Sequence, residues 1–415
     1  MCMGANLYAQ LFSFHSYRFL LTARVSSRIG YGVLQLAAIW YVMSFSHNNP
    51  FAVSGLVFIQ TIPFVLFGLY AGIKTDRWNA KGVMIGAETG RALIWAIAGV
   101  LSAVDRLPIV WLLFAIFLDG LCGSFFSPAF RAATPKLVPR ELLQPANALL
   151  NIARDGTLIV SPGILALLLM LFHSERDIFL FPALTYLVSA ISLSLMGFSV
   201  NSKIDRGKAV TWWESFRKDF SDIVTTIKII AKAGQIFRAM IANIVSIVGN
   251  TVGWEVSLPI LVRSHLGLSI VNYGEIVGAL SFGSVVFGFL LGMFPMIRRL
   301  PTIFVGISLW GIGLALIGVG HNLMFAVVGA IVMALEQALQ GLNIIVLLQQ
   351  TYSEHVASIF SGYHGLQYAG NVLGSIVAGP ILATIPVGSV ITIGGGVIIL
   401  VGISGWLQTL VVARA

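Results

Sequence analysis

Charge is scarce in this chain. Only 10% of its 415 residues are Asp, Glu, Lys or Arg, against 57% hydrophobic residues. A soluble domain carries roughly 25% charged residues, so this chain has too little polar surface to cover itself in water. Cysteine is almost missing. Cys2 and Cys122 are the only two, and Cys122 falls inside an apolar stretch, which speaks against a disulfide framework or a cysteine-based metal site. The seven histidines, at positions 15, 47, 173, 265, 321, 355 and 364, show no metal-ligand spacing. Neither a metal nor a cofactor is expected. No Gly-x4-Gly-Lys-Ser/Thr phosphate loop occurs, which argues against ATP drive within the chain. No Ser/His/Asp set or carboxylate pair at a catalytic spacing appears, so an enzyme is not expected. The first 17 residues lack the basic start and apolar core of a cleavable leader. The first apolar stretch is therefore expected to persist as a helix.

What the chain does have is about a dozen apolar stretches of roughly 18 residues or more, the length that crosses about 30 Å of hydrocarbon. The expected fold class is an all-α integral membrane protein with twelve transmembrane helices in two pseudo-symmetric six-helix bundles. Short polar breaks, such as His47-Asn48-Asn49-Pro50 and His321-Asn322, force antiparallel neighbours. The expected domains are residues 1–200 and 236–415, joined by a cytoplasmic amphipathic linker over 201–235. In that linker Trp213, Phe216, Phe220, Ile223, Ile227 and Ile230 recur at steps of three and four among lysines and arginines. Such a helix lies on the inner membrane face.

The net charge of +9 does not indicate nucleic acid, because no basic stretch is interleaved with stacking aromatics. Its distribution speaks instead of topology. Of the 25 Lys and Arg, twenty lie in or near the termini and the even-to-odd connections, and three in the odd-to-even ones. Cytoplasmic loops are the basic ones, so both termini are expected inside the cell membrane.

An internal repeat supports two halves. Gly68-x3-Gly72-x13-Gly86 recurs as Gly288-x3-Gly292-x13-Gly306, an offset of 220. Gly156-x4-Ser161-Pro162 recurs as Gly374-x4-Gly379-Pro380, an offset of 218. Parallel repeats of six helices, with the substrate path between them, are an arrangement of transporters. A proline kinks a helix and small residues let helices approach. Gly156, Ser161, Pro162, Gly379 and Pro380 are therefore either packing residues or a hinge.

Ionisable residues inside the spans are functional candidates by default. Arg24, Arg28, Asp119 and Glu336 fall there, and each costs roughly 3 kcal/mol at a helix centre. They must pair, meet water or change protonation. Arg24, Arg28, Tyr31 and Gln35 share one face of the first helix, and Glu336, Gln340 and Asn343 one face of the tenth. Arg28 and Asp119 stand at similar depth, so a pair between them is expected. Glu336 has no cation at its depth and is the first candidate to carry a proton. Asp119 is the second and Glu255, beside Trp254, the third. Glu88 and Arg91 are assigned to support of a cytoplasmic contact, and Asp155 to a structural pair with Arg154.

Gly72-Ile-Lys-Thr-Asp76-Arg77-Trp-Asn-Ala-Lys81 resembles the loop signature of the major facilitator superfamily, a glycine followed by Asp-Arg and a basic cluster. Asn79 and Ala80 depart from it. The segment from Pro128 to Pro139 followed by Ala146-Asn147-Ala148, and Leu258-Pro259 with Tyr273-Gly274, resemble the superfamily's efflux branch of macrolide and siderophore (enterobactin-type) exporters. Gly156 to Gly163 resembles the antiporters' glycine-proline motif. The resemblance implies that the first, fourth, seventh and tenth helices line a cavity, which would place Arg24, Arg28, Tyr31, Gln35, Gln340 and Asn343 at a substrate. It also implies a cytoplasmic gate of Gly72, Asp76, Arg77, Lys81 and Arg131, with Asp76 at the N-terminus of the eleventh helix.

The expectation is a monomeric secondary transporter in the lipid bilayer, exporting a small amphiphilic molecule against protons. Its rivals are an importer of an anionic solute or a lysophospholipid flippase, suited by the two arginines, and a non-transporting membrane sensor. The topology has a direct check. A reporter that matures only in the cytoplasm, fused after Ala415, should be active. Activity only from a reporter that matures outside would reverse the orientation.

Overall fold

A computed structural model describes residues 10–104, 106–172, 177–197, 213–214, 217, 221, 235–292, 300–320, 322–351 and 356–412. Those residues are helical with short connections, and no strand occurs among them. The first six helices are α1 (His15–Phe45), α2 (Pro50–Arg77), α3 (Ala80–Ala103), α4 (Ile109–Ala133), α5 (Leu143–Phe172) and α6 (Leu180–Ser194). The seventh, α7, begins as Gln235–Asn250 and continues through Thr251–Ser257, Leu258–Ile260 and Leu261–His265. The last five are α8 (Ile270–Gly292), α9 (Leu300–Val319), α10 (Leu323–Thr351), α11 (Val356–Thr384) and α12 (Val387–Val412). Most of the amphipathic segment 201–235 lies outside the described residues.

These helices belong in lipid. Among the described residues, nine stretches are long and apolar enough to cross a membrane, and Leu180–Ser194 and Leu323–Gln337 are shorter apolar helices. α1 has the length, 31 residues, but its arginines and other polar residues keep it out of that group. The outward surface is apolar too. Val110, Met170, Phe289 and Met324 are each more than 70% exposed. In water such a surface would aggregate; against acyl chains it costs nothing.

The connections are built by local chemistry. His47 and Asn48 take positive φ, and Asn49 Oδ1 accepts from Phe51 N at 2.9 Å to start α2. The Asp-Arg segment expected as a loop is helical through Arg77, so only Trp78 and Asn79 break α2 from α3. Asn79, one of the two departures from the superfamily signature, caps α3 by accepting from Lys81 N at 3.1 Å. Asparagine is a good N-cap, so the substitution keeps the turn short.

The chain divides into two compact units. One holds Met1–Tyr41 and Ile62–Arg217, the other Val42–Thr61 and Lys218–Ala415. The boundary at 217 falls inside the expected linker, and the first turns of α2 group with the second unit. In the first unit α3 runs close beside α6. Trp95 stacks on Phe179 with ring centroids 5.7 Å apart, and a Cβ on Gly99 would stand 2.9 Å from Leu180 N. Near the start of α1, Tyr17, Leu20, Met84, Phe126, Phe130 and Leu193 form one buried cluster. Tyr17 Oη ties α1 to α5 by donating to the Ala146 carbonyl at 2.8 Å.

The second unit is packed through glycine. A Cβ on Gly311 of α9 would lie 2.5 Å from the Gly395 carbonyl of α12, and one on Gly395 would lie 2.6 Å from the Gly311 carbonyl. Backbones this close need residues without side chains. Gly395→Val must force α9 and α12 apart, at a cost of about 1–3 kcal/mol. The expected result is a lower thermal unfolding temperature of the purified protein, with Gly394→Val, whose Cβ meets nothing within 4 Å, as the tolerated control.

Candidate functional site

The strongest polar feature of the first unit lies on α3 and α4. Glu88, Arg91 and Trp95 are spaced three and four apart, so α3 presents all three on one face. Asp119 meets them from α4. Arg91 Nη2 lies 3.4 Å from Asp119 Oδ2, and Nη1 lies 3.4 Å from Glu88 Oε1. Arg91 also donates from Nε and Nη2 to the Asp119 backbone carbonyl, each at 3.3 Å. Trp95 Nε1 donates to the other carboxylate oxygen of Asp119 at 2.9 Å. The helix 1 hydroxyl of Ser27 donates to Glu88 Oε1 at 3.2 Å. Glu88, Arg91 and Asp119 are 0%, 7% and 4% exposed, so the cluster is sealed from the surroundings of the unit.

Two neighbours complete the site. The Arg91 guanidinium sits 5.1 Å from the centroid of the Tyr186 ring on α6, a cation–π distance. Gly123 makes room for it, since a Cβ there would come within 2.5 Å of Arg91 Nη2. The cation at contact distance from Asp119 is thus Arg91, where Arg28 was expected. Glu88 and Arg91 belong to this buried cluster instead of supporting a cytoplasmic contact. Their signal in the sequence was an acid and a base three residues apart in an apolar helix, an ordinary ion-pair spacing.

The α1 stripe is connected along its own face. The Arg28 guanidinium carbon lies 5.5 Å from the Tyr31 ring centroid, and Gln35 Nε2 donates to Tyr31 Oη at 2.6 Å. Arg24 lies 4.6 Å from the ring centroid of Phe130, and its buried Nε has no hydrogen-bond partner among the described residues. Around Arg24 the electrostatic neighbours are Arg28, Arg131 and Arg154, with Glu88 the opposing charge.

The second unit holds two carboxyls. Glu336 on α10 is 6% exposed, and no ion pair or hydrogen bond reaches it among the described residues. Glu255 sits where α7 widens into a π-helix over Thr251–Ser257. Its Oε1 accepts from Asn250 Nδ2, five residues earlier, at 3.3 Å. π-Turns are rare and frequent at functional sites. Nearby, Trp254 and Trp310 have ring centroids 6.5 Å apart. A polar ladder joins α7 to α11: Tyr363 Oη donates to Asn243 Oδ1 at 3.0 Å and Thr251 Oγ1 to Asn371 Oδ1 at 2.8 Å. The side chains of Gln340 and Asn343 lie outside the described residues, as do those of Asp76, Arg77 and Asp155, and Gly72 is described only as backbone of α2.

Of the expected gate, Lys81 and Arg131 are described. Lys81 Nζ donates to the carbonyls of Ser194 at 3.0 Å and Met196 at 2.5 Å. It therefore closes the C-terminus of α6, where a cation is favoured. Arg131 is exposed and donates to Ser127 Oγ at 3.4 Å. In the expected hinge, Ser161 Oγ donates to the Thr157 carbonyl at 2.6 Å. Next to it Pro162 lacks the N–H that the Leu158 carbonyl would accept. A Cβ on Gly32 of α1 would strike Ser161, and one on Gly379, before Pro380, would lie 2.8 Å from Ser54 Oγ. Both motifs are close helix contacts, whereas a Cβ on Gly156 would meet nothing within 4 Å.

The sequence profile of the Major Facilitator Superfamily matches residues 20–375. The chain belongs to that superfamily. It is a multi-pass membrane transporter with no enzymatic chemistry. An uncharacterized MFS-type transporter of Mycobacterium tuberculosis is 33% identical over 132 residues, 31% of this chain and 30% of that protein. Macrolide efflux protein A of Streptococcus pyogenes is 29% identical over 142 residues, 34% of this chain and 35% of that protein. The chain thus matches about a third of the length of these curated relatives. Two solved transporter structures align over nearly the whole chain. The POT family transporter PepTSo has a TM-score of 0.71 at 11% identity, covering 95% of this chain and 98% of its own. The nucleoside transporter NupG has a TM-score of 0.72 at 12% identity, covering 94% and 98%. At that identity they establish the fold of two six-helix halves.

Removing Arg91 leaves two carboxylates buried without their cation, and breaking a buried pair costs about 3–5 kcal/mol. Arg91→Met is expected to lower the thermal unfolding temperature far more than Arg131→Met, whose guanidinium is exposed. Equal shifts would deny Arg91 its structural weight.

Proposed function

We propose that the chain is a secondary active transporter that exports a small amphiphilic molecule, of drug or siderophore type, in exchange for protons. The two halves would alternate access to a site between them, as in other transporters built from repeats. Export is supported by the similarity to macrolide efflux protein A. The bacterial relatives support a plasma-membrane location, with both termini cytoplasmic by the charge rule. The chain works as a monomer on this reading.

The observation that carries proton exchange is Glu336. A carboxyl buried in an apolar helix, with no cation beside it among the described residues, is stable there only when protonated or wet. Glu336 is the first proton carrier on this reading; Asp119 and Glu255 are the others. A second reading, uptake or flipping of an anionic amphiphile, is favoured by Arg24, whose guanidinium lies on Phe130 with an unmatched Nε.

Proteoliposomes with an imposed pH gradient test the proposal, with a macrolide as the probe and export profiles of cells with and without the protein to supply further substrates. Glu336→Gln is expected to reduce gradient-driven transport at least about tenfold, a barrier change of about 1.4 kcal/mol, while leaving substrate exchange at equal pH intact. Full uphill transport by that variant would remove Glu336 from coupling. Efflux that survives collapse of the gradient would exclude antiport.

A further inference from the structure

Arg24 carries a charge that the first unit does not answer. Other cations of the unit have partners: Arg91 has Glu88 and Asp119, Arg18 has His15 Nδ1 at 3.1 Å, and Arg131 has Ser127. Arg24 makes no hydrogen bond and no ion pair among the described residues. Its guanidinium leans on Phe130, 4.6 Å from the ring centroid, and a ring face answers a cation only in part. Nε is sealed inside, while the side chain as a whole is half-buried. The end of the guanidinium, with its two terminal nitrogens, is therefore the part that a ligand can reach.

The surrounding charges deepen the shortage. Arg28 from α1, Arg131 from α4 and Arg154 from α5 all act on Arg24, and the opposing charge is Glu88. Glu88 is already held by Arg91 Nη1 and Ser27 Oγ. The Asp155 side chain, next to Arg154, lies outside the described residues. With Asp155 and the Arg91 cluster both counted in, five guanidiniums stand against three carboxylates, those of Glu88, Asp119 and Asp155. Like charges repel more strongly where water is scarce, so an anion that enters this set relieves it. A cationic ligand meets the same field as a barrier.

We propose that Arg24 anchors a compact oxyanion, a carboxylate or phosphate, that forms the polar end of the molecule the chain transports. A guanidinium donates two parallel N–H groups, the geometry that takes two oxygens of such an anion side by side. Arg28, Arg131 and Arg154 hold the same anion through the field they share, and the Phe130 ring holds the Arg24 guanidinium in place. No covalent bond is made or broken. An anionic end suits export as well as uptake, because the field acts on the bound anion whatever its direction of travel. That the bound molecule is the cargo rests on the transport reading above; the anion site itself does not. A free amphiphilic anion and the headgroup of an anionic lipid offer the same chemistry, and the test separates them.

The full chain in nanodiscs of zwitterionic lipid is titrated calorimetrically with three probes of one tail, hexyl phosphate, hexylammonium and hexanol, with empty nanodiscs subtracted. Hexyl phosphate is expected to bind at least about tenfold tighter than either of the others. Arg24→Gln is expected to abolish that preference, and Arg131→Gln to weaken it by less. Equal binding of the three probes by the unaltered protein overturns the proposal, and that measurement needs no variant to fold. A phosphate preference that survives in folded Arg24→Gln overturns it as well. The titration is repeated with phosphatidylglycerol in the nanodiscs. Exclusion of hexyl phosphate there, with phosphatidylglycerol retained by the unaltered protein and not by Arg24→Gln, supports the site with a lipid headgroup in it. Undiminished binding supports the site with a free anion in it. Flux then separates site from cargo. Transport of hexyl phosphate, or its competition with macrolide export, lost in Arg24→Gln, supports the cargo role. Binding that leaves macrolide export untouched, with no transport of hexyl phosphate, keeps the anion site and overturns its part in transport. Binding in a protein that moves no probe at all keeps the site and overturns the transport reading.

Discussion

The first unit depends on one guanidinium. Arg91 is buried, and burying a charge in an apolar surrounding is offset only by close opposite charge and hydrogen bonds. It finds them on three sides. Glu88 is one turn away on its own helix, Asp119 and its carbonyl lie on α4, and the Tyr186 ring lies on α6. Glu88 carries the contact on to α1 through Ser27. Four helices therefore meet at a group that none of them can release without leaving a charge bare. Trp95 and Gly123 are shaped by the same demand, one donating to the acid and the other leaving room for the base.

The second unit is assembled differently. Its helices α9, α10 and α12 approach through glycines, backbone against backbone: Gly311 meets Gly395, and Gly313 meets Gly329. Polar links between its helices include two neutral pairs, Asn243 with Tyr363 and Thr251 with Asn371. The carboxyls there are left with little. Glu255 has an amide at the widened turn of α7, and Glu336 is buried in α10. One unit neutralises its charges with a cation, and the other keeps acids among neutral groups.

Several particulars of the site were readable in the chain and others were not. Asp119 and Glu336 stood out because a carboxyl in an apolar span is expensive wherever it points. The partner of Asp119 did not follow, because depth along two helices does not say which faces meet. Depth suggested Arg28, and the packing of α3 on α4 placed Arg91 at contact. Lys81 read as part of a gate, yet its amine finds the open carbonyls at the end of α6. That contact joins residues more than a hundred positions apart and leaves no local pattern.

By itself the sequence determined the solvent, the helical class and the places where polarity would be costly. Those follow from composition and run length, because hydrocarbon admits only segments that satisfy their own backbone. The resemblance carried by the Asp76-Arg77 segment pointed to the superfamily, and residues 20–375 match its profile. Tertiary structure alone decided which buried charge answers which. A helix face is set by rotation and tilt, which depend on every neighbour at once. So the sequence could show that Glu88, Arg91 and Asp119 were present, and only the packing of α1, α3, α4 and α6 made them one site.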